Sequence, residues 1–239
     1  MKKLATMGIV AFTLLLSGCG ILGKTPSAEQ LLTDSAAAQK RMSNVHMVNK
    51  FNMSQDSSDF GMNTDVSTDL HQRRLIGSLN SHGTDVIESH TTPIFLSSDE
   101  LLQKNDGRWE ENARGKAFVA HHFMVVESIT NLNTLAKNTD LTDKAETTSS
   151  QDQYTIRMNM TGQPAKRLFA KISNQPLKLF NDFQTSKVSY LLTLDRQTKL
   201  VTQCTAKYEF AEGKKFASVT DTATFSKWNQ SPVKTPTVN

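Results

Sequence analysis

The sequence predicts an α+β domain in which one long antiparallel sheet packs against helices. Three observations carry this. Apolar and polar residues alternate with period two through much of the chain, clearest at Val45–Met53 and Val188–Leu194, the mark of strands with one buried face. A capped helix start stands ahead of the first strand at Ser27. In mid-chain, Phe123, Val126, Ile129, Leu132 and Leu135 recur every three residues, a helical spacing.

The elements follow in order. Ser27 as N-cap with Gln30 three residues on is the capping-box arrangement. Leu31, Leu32, Ala38 and Met42 carry the helix to Arg41 or Met42, and Ser43-Asn44 end it. Val45, Met47, Phe51 and Met53 then alternate with His46, Lys50 and Asn52. Phe60, Met62, Val66 and Leu70 alternate with Asp65 and Asp69. Between them Asp56–Asp59 is a polar hairpin loop without the spacing of a calcium-binding EF-hand. Shorter strands are expected at Arg74–Leu79, Asp85–His90 and Ile94–Ser97. Asn105-Asp106-Gly107 turns into the return strand Arg108-Trp109-Glu110.

A second helix is expected over Phe118–Ala136. Lys144–Thr148 and Tyr154–Met160 read as a strand pair, and Pro164 opens a short helix carrying Leu168, Phe169 and Ile172. The last third is a meander. Val188–Leu194 alternates, Asp195–Lys199 turns, and Leu200, Cys204, Ala206, Tyr208 and Phe210 alternate again. Glu212-Gly213-Lys214 turns once more before Ala217–Phe225. Residues 27–228 are expected as one domain, followed by a flexible tail over 229–239 that holds Pro232 and Pro236.

The N-terminus follows the plan of a secretory signal. Met1-Lys2-Lys3 is positive, and Leu4–Leu16 is an apolar run too short to span a bilayer comfortably. The run ends in Leu16-Ser17-Gly18-Cys19, which resembles the bacterial lipobox. That resemblance implies a signal peptide over 1–18, cleavage between Gly18 and Cys19, and a diacylglycerol thioether on Cys19. Two acyl chains make such anchoring stable. Residues 19–26 would then be a short linker holding the domain near the outer surface of a cell membrane.

Charge and composition exclude other classes. The chain has 27 Lys+Arg and 23 Asp+Glu. Loss of Lys2 and Lys3 with the signal leaves 25 against 23. The basic residues are dispersed and form no stripe with interleaved aromatics, which speaks against nucleic acid. Cys204 is the one thiol left once Cys19 is lipidated, so the fold depends on no intramolecular disulfide. Its strand position marks it as a buried, inert residue.

No catalytic constellation is present, and the chain is read as a non-enzyme with no cofactor. His121-His122 are adjacent and point about 100° apart on a helix. His82, Glu88 and His90 lack the spacing of a zinc site. Glu88-Ser89-His90 holds three triad-type residues, but a strand sends Ser89 to the opposite face from its neighbours. There is no Gly-x-Ser-x-Gly elbow and no phosphate-cradling glycine loop.

The helix Ala28–Met42 running into Val45–Phe51, the turn Gly107-Arg108-Trp109-Glu110, and the hairpin Tyr190–Leu200 carry a second resemblance. Together they resemble the LolA/LppX superfamily of lipoprotein-type carriers over residues 27–228. The resemblance implies a curved sheet, an incomplete β-barrel with helices packed on its concave side, and an apolar cavity for acyl chains or other hydrophobic ligands. Asn49, Asp221 and several Thr depart from that pattern, because they fall on otherwise apolar faces. Val45, Met47, Phe51, Met62, Val66, Met158, Tyr190 and Tyr208 are the candidate wall residues, and Phe118–Ala136 the candidate lid. Met47, Met53, Met62, Met158 and Met160 are expected near one another; methionine suits variable apolar ligands. The function expected is therefore a membrane-anchored binder of a lipid or hydrophobic molecule. The alternative is an envelope scaffold with a filled core and a protein partner.

Overall fold

The computed structural model describes residues 25–56, 58–84, 91–97, 100–112, 130–172, 185–213 and 215–237. Helix α1 covers Ala28–Gln39. Six strands follow: β1 (Asn44–Gln55), β2 (Ser58–Asp69), β3 (Arg74–Gly83), β4 (Thr91–Leu96), β5 (Leu101–Asn105) and β6 (Arg108–Glu111). Two short helices, α2 (Leu132–Ala136) and α3 (Thr139–Thr142), precede β7 (Glu146–Ser149) and β8 (Gln153–Thr161). Helix α4 (Gly162–Ile172) leads to β9 (Thr185–Asp195), β10 (Val201–Glu212) and β11 (Lys215–Ser226).

The strands form one antiparallel sheet in the order β6-β5-β4-β3-β2-β1-β11-β10-β9-β8-β7. Two meanders, β1–β6 and β7–β11, are joined where β1 pairs with β11. The sheet is curved and does not close, so β6 and β7 are its edges. Helices pack on the concave side: α1 lies against α2, and α4 against β8 and β9.

Local chemistry explains the elements. Ser27 Oγ accepts from the Gln30 backbone N–H at 3.2 Å, as an N-cap should. The Gln30 side chain does not return to close a capping box; its amide donates to Asp34 Oδ1 at 2.7 Å. The helix also stops at Gln39, short of Arg41. Its buried stripe is Ala28, Leu31, Leu32, Ser35 and Gln39. The turn between β5 and β6 has Asp106 at φ 46° and Gly107 at φ 83°, the left-handed pair that a two-residue hairpin needs.

Other expectations are corrected. β3 runs on to Gly83, and α4 opens at Gly162, two residues before Pro164. A continuous helix over Phe118–Ala136 does not form. Residues 118–129 and the strand expected at Asp85–His90 lie outside the described residues, but Asn131 is left-handed at φ 50°. α2 therefore starts afresh at Leu132. Between Val201 and Gln203 the β9–β10 register shifts. That irregularity turns both Leu200 and Val201 inward and breaks the alternation. Residues 229–235 bond back to the sheet: Ser231 N–H donates to Asn44 Oδ1 at 2.7 Å, and Arg74 Nη1 donates to Thr235 Oγ1 at 2.9 Å.

Candidate functional site: the concave face

Period-two alternation sends every second side chain of each long strand to the concave side. On β1 these are Val45, Met47, Asn49, Phe51 and Met53. Register then aligns neighbours across the sheet. Met47 faces Val66, and Phe51 faces Met62, between β1 and β2. On the other half Met158 faces Tyr190, and Tyr208 faces Val188. All eight residues predicted as wall residues, Val45, Met47, Phe51, Met62, Val66, Met158, Tyr190 and Tyr208, are buried in one hydrophobic cluster.

They nonetheless form two groups. Five sit on β1 and β2, and three on β8, β9 and β10; β11 separates them. The methionines divide likewise. Met47, Met53 and Met62 are on β1 and β2, and Met158 and Met160 on β8, four strands from β1; all but the exposed Met53 belong to the one hydrophobic cluster. Sequence reading took no wall residue from β11, although Val219, Asp221, Ala223 and Phe225 stand between the groups. The period-two pattern on β11 was visible; a charge and an alanine masked its apolar character.

Exposure changes along the face. It rises from 0% at Met47 to 8% at Phe51 and 38% at Met53. Phe60, Val219 and Asp221 are half-buried at the same end. Apolar side chains thus reach solvent near the β1–β2 hairpin; the cleft of about 350 Å³ at that end opens mostly on the convex face, lined by Asn52, Ser54, Gly61, His82, Ser218 and Thr220, with Met53 and Phe60 at its margin. Aromatic rings line the neighbouring stretch. Phe51 and Phe60 meet edge-on with centroids 6.5 Å apart. Phe169 of α4 lies 4.8 Å from Tyr208 and 4.7 Å from Phe210. A second cleft, of about 630 Å³, lies at the opposite end of the strands. Met42, Leu200, Phe225 and Trp228 form its apolar lining, and Arg41 and Lys227 its cationic one.

Polar groups interrupt the apolar wall, two hydrogen-bonded sets among them. Tyr190 and Tyr208 hydroxyls bond to one another, and Asn131 Nδ2 donates to the Tyr190 hydroxyl at 3.5 Å. Burial pushes both phenols above their ordinary range. Asn49 Nδ2 donates to Asp221 Oδ1. Burial raises the Asp221 carboxyl to about 6, against the lowering effect of the Asn49 bond. The Cys204 thiol is buried and carries no disulfide. Burial, with the Asp221 carboxylate second, raises it far from the range of a reactive thiolate. Among the described residues no three His, Cys, Asp or Glu side chains group as metal ligands would.

A family model matches residues 27–237, which is nearly the whole described chain. The chain belongs to DUF6612, a family of unknown function. Among curated protein sequences none matches it. Solved structures similar to it include LprF from Mycobacterium bovis, at 13% identity and TM-score 0.47, over 90% of this chain and 99% of that one. The lipoprotein LppX from Mycobacterium tuberculosis matches at 15% identity and TM-score 0.49, over 87% and 97%. A LolA superfamily protein from Nitrosomonas europaea matches at 9% identity and TM-score 0.28, over 87% and 96%.

Proposed function

We propose that this DUF6612 member is a lipoprotein, anchored through diacylglycerol on Cys19 after cleavage behind Gly18. Its concave face shelters a lipid or another hydrophobic molecule and does no chemistry on it. The observation that carries the reading is the apolar strip along β1, β2 and β11, buried at Met47 and reaching solvent at Met53. Binding there would transfer apolar surface out of water, at roughly 25 cal/mol per Å².

One contact supports an orientation for the anchored protein. The Thr25 and Ser149 hydroxyls are 3.3 Å apart, so the linker reaches the domain at edge strand β7. Five residues separate Cys19 from Thr25, a span of at most about 20 Å. The β7 edge is then the part of the domain held nearest the bilayer.

Two experiments test this. The chain from Gly20 onward is titrated with a fluorescent fatty acid. Saturable binding that unlabelled lipid displaces supports the carrier. No binding contradicts it and favours the filled-core scaffold. For the anchor, Cys19→Ser should leave the protein unprocessed or released; unchanged processing and membrane retention would contradict lipidation.

A further inference from the structure

We propose that Thr64, Asn49 and Asp221 form a polar subsite on the concave face that accepts hydrogen bonds from a donor group, a hydroxyl or an amine, on a bound amphiphile. The proposal rests on the carrier reading above and names the chemistry of its ligand.

The three residues occupy adjoining positions on three neighbouring strands. Asn49 faces Thr64 across the β1–β2 pair and Ala223 across the β1–β11 pair. Asp221 faces Phe51 on one side and Ala206 on the other. Asn49 is 0% and Thr64 2% exposed, yet Asn49 Oδ1 and Thr64 Oγ1 have no hydrogen-bond partner among the described residues. A buried polar atom left unpaired is costly, and native structures keep few of them. An apolar side chain at either position would have avoided the cost.

The chemistry of the group has a sign. Asn49 spends one of its two amide N–H groups on Asp221, which leaves one N–H as a donor and its carbonyl oxygen as an acceptor. The Asp221 carboxylate, when ionised, can only accept. Thr64 supplies the one hydroxyl donor among the three. Acceptors therefore outnumber donors, and the group is complete when a ligand brings an O–H or N–H. A hydrocarbon or a methyl ester brings none.

Asp221 is the member of the group nearest solvent. Asp221 is half-buried and lies two residues from Val219, on the side of the face that opens at Met53. The side chains beside it, Ala206, Ala223 and Cys204, are small. The titratable groups facing it are the Cys204 thiol and the Tyr208 hydroxyl, both on β10 and both kept neutral by burial. With its carboxyl raised to about 6, Asp221 is still ionised at pH 7.5, so an ammonium is taken as readily as a hydroxyl.

The test uses the full-length protein in dodecyl maltoside and displacement of a fluorescent fatty acid by three probes of equal chain length. Monopalmitoylglycerol brings hydroxyls, hexadecylamine brings an ammonium, and methyl palmitate brings no donor. The wild type should bind both donor probes at least about tenfold tighter than the ester. Thr64→Val and Asp221→Leu should reduce that ratio below about threefold while ester affinity holds. Asp221→Asn, the milder variant should Asp221→Leu not fold, should weaken the amine selectively. Equal affinity for all three probes in the wild type overturns the subsite and leaves the carrier reading standing. A preference that survives in Thr64→Val and in an Asp221 variant overturns the assignment to these residues. Failure of every probe to bind overturns the carrier reading, and the subsite with it.

Discussion

Asn49 and Asp221 meet across the seam between the two meanders: the amide of Asn49 on β1 donates to a carboxylate oxygen of Asp221 on β11, 172 residues further along the chain. The bond puts an acid on a face otherwise built of Met, Val, Phe and Tyr. Its consequence is a titration that can be measured.

Burial holds the Asp221 carboxyl at about 6, against 3.8 for the unperturbed group. The folded protein therefore binds more protons than the unfolded chain between those values. This contribution to stability is present in full below pH 3.8 and is lost as pH rises through 6. The loss is at most about 3 kcal/mol. Asp195, whose carboxyl is lowered by bonds from Thr198, and Glu209, lowered by Lys207, act in the opposite sense. The clean measurement is thus the difference in urea midpoint between wild type and Asp221→Asn. The variant should gain on the wild type from pH 4.5 to pH 7.5. A difference that does not change with pH contradicts the raised carboxyl.

Gly77 on β3 faces Val66 and Ile94, on the concave side of the sheet. A Cβ there would stand 2.0 Å from the Asp65 carbonyl oxygen and 2.7 Å from Val66 Cα. Both are backbone atoms and cannot swing away. Gly77→Ala should cost about 2–3 kcal/mol, as overpacking does. Gly107→Ala, which meets nothing within 4 Å but sits at φ 83°, should cost about 1 kcal/mol from backbone strain alone. Chemical denaturation of both variants checks the order; equal effects would contradict the close approach at Gly77.

Much of the sheet was legible because its signals are local. Period two assigns a face without knowledge of the partner strand, so Val45 and Tyr208 could be placed on one side of the fold although 163 residues part them. Asp106-Gly107 names its own turn. What escaped is decided by tertiary contact. The stripe of α1 includes Ser35 and Gln39, polar residues that no hydrophobic pattern selects. The β10 irregularity at Val201–Gln203 depends on its pairing with β9. The pairing of β1 with β11 spans almost the whole domain, and no hairpin signal announces it. At the site, the wall positions on β1 and β2 followed from pattern, whereas Ala223 and Ala206 carry too little apolar surface to register.

Cys204 is 0% exposed and its thiol is held well above the ordinary range. In the soluble chain lacking Cys19, labelling by a disulfide reagent at pH 8 should be at least about a hundredfold slower in buffer than in denaturant, since the thiolate is the reacting species. Comparable rates would contradict the packing around β10.

The central claim is that the concave face holds a hydrophobic guest. The soluble chain from Gly20 onward is purified without detergent from a lipid-containing host, extracted with organic solvent, and the extract quantified by mass spectrometry. The account predicts about one lipid per chain, and markedly less when Met62→Trp fills the wall. A protein that yields no lipid and folds normally would contradict it.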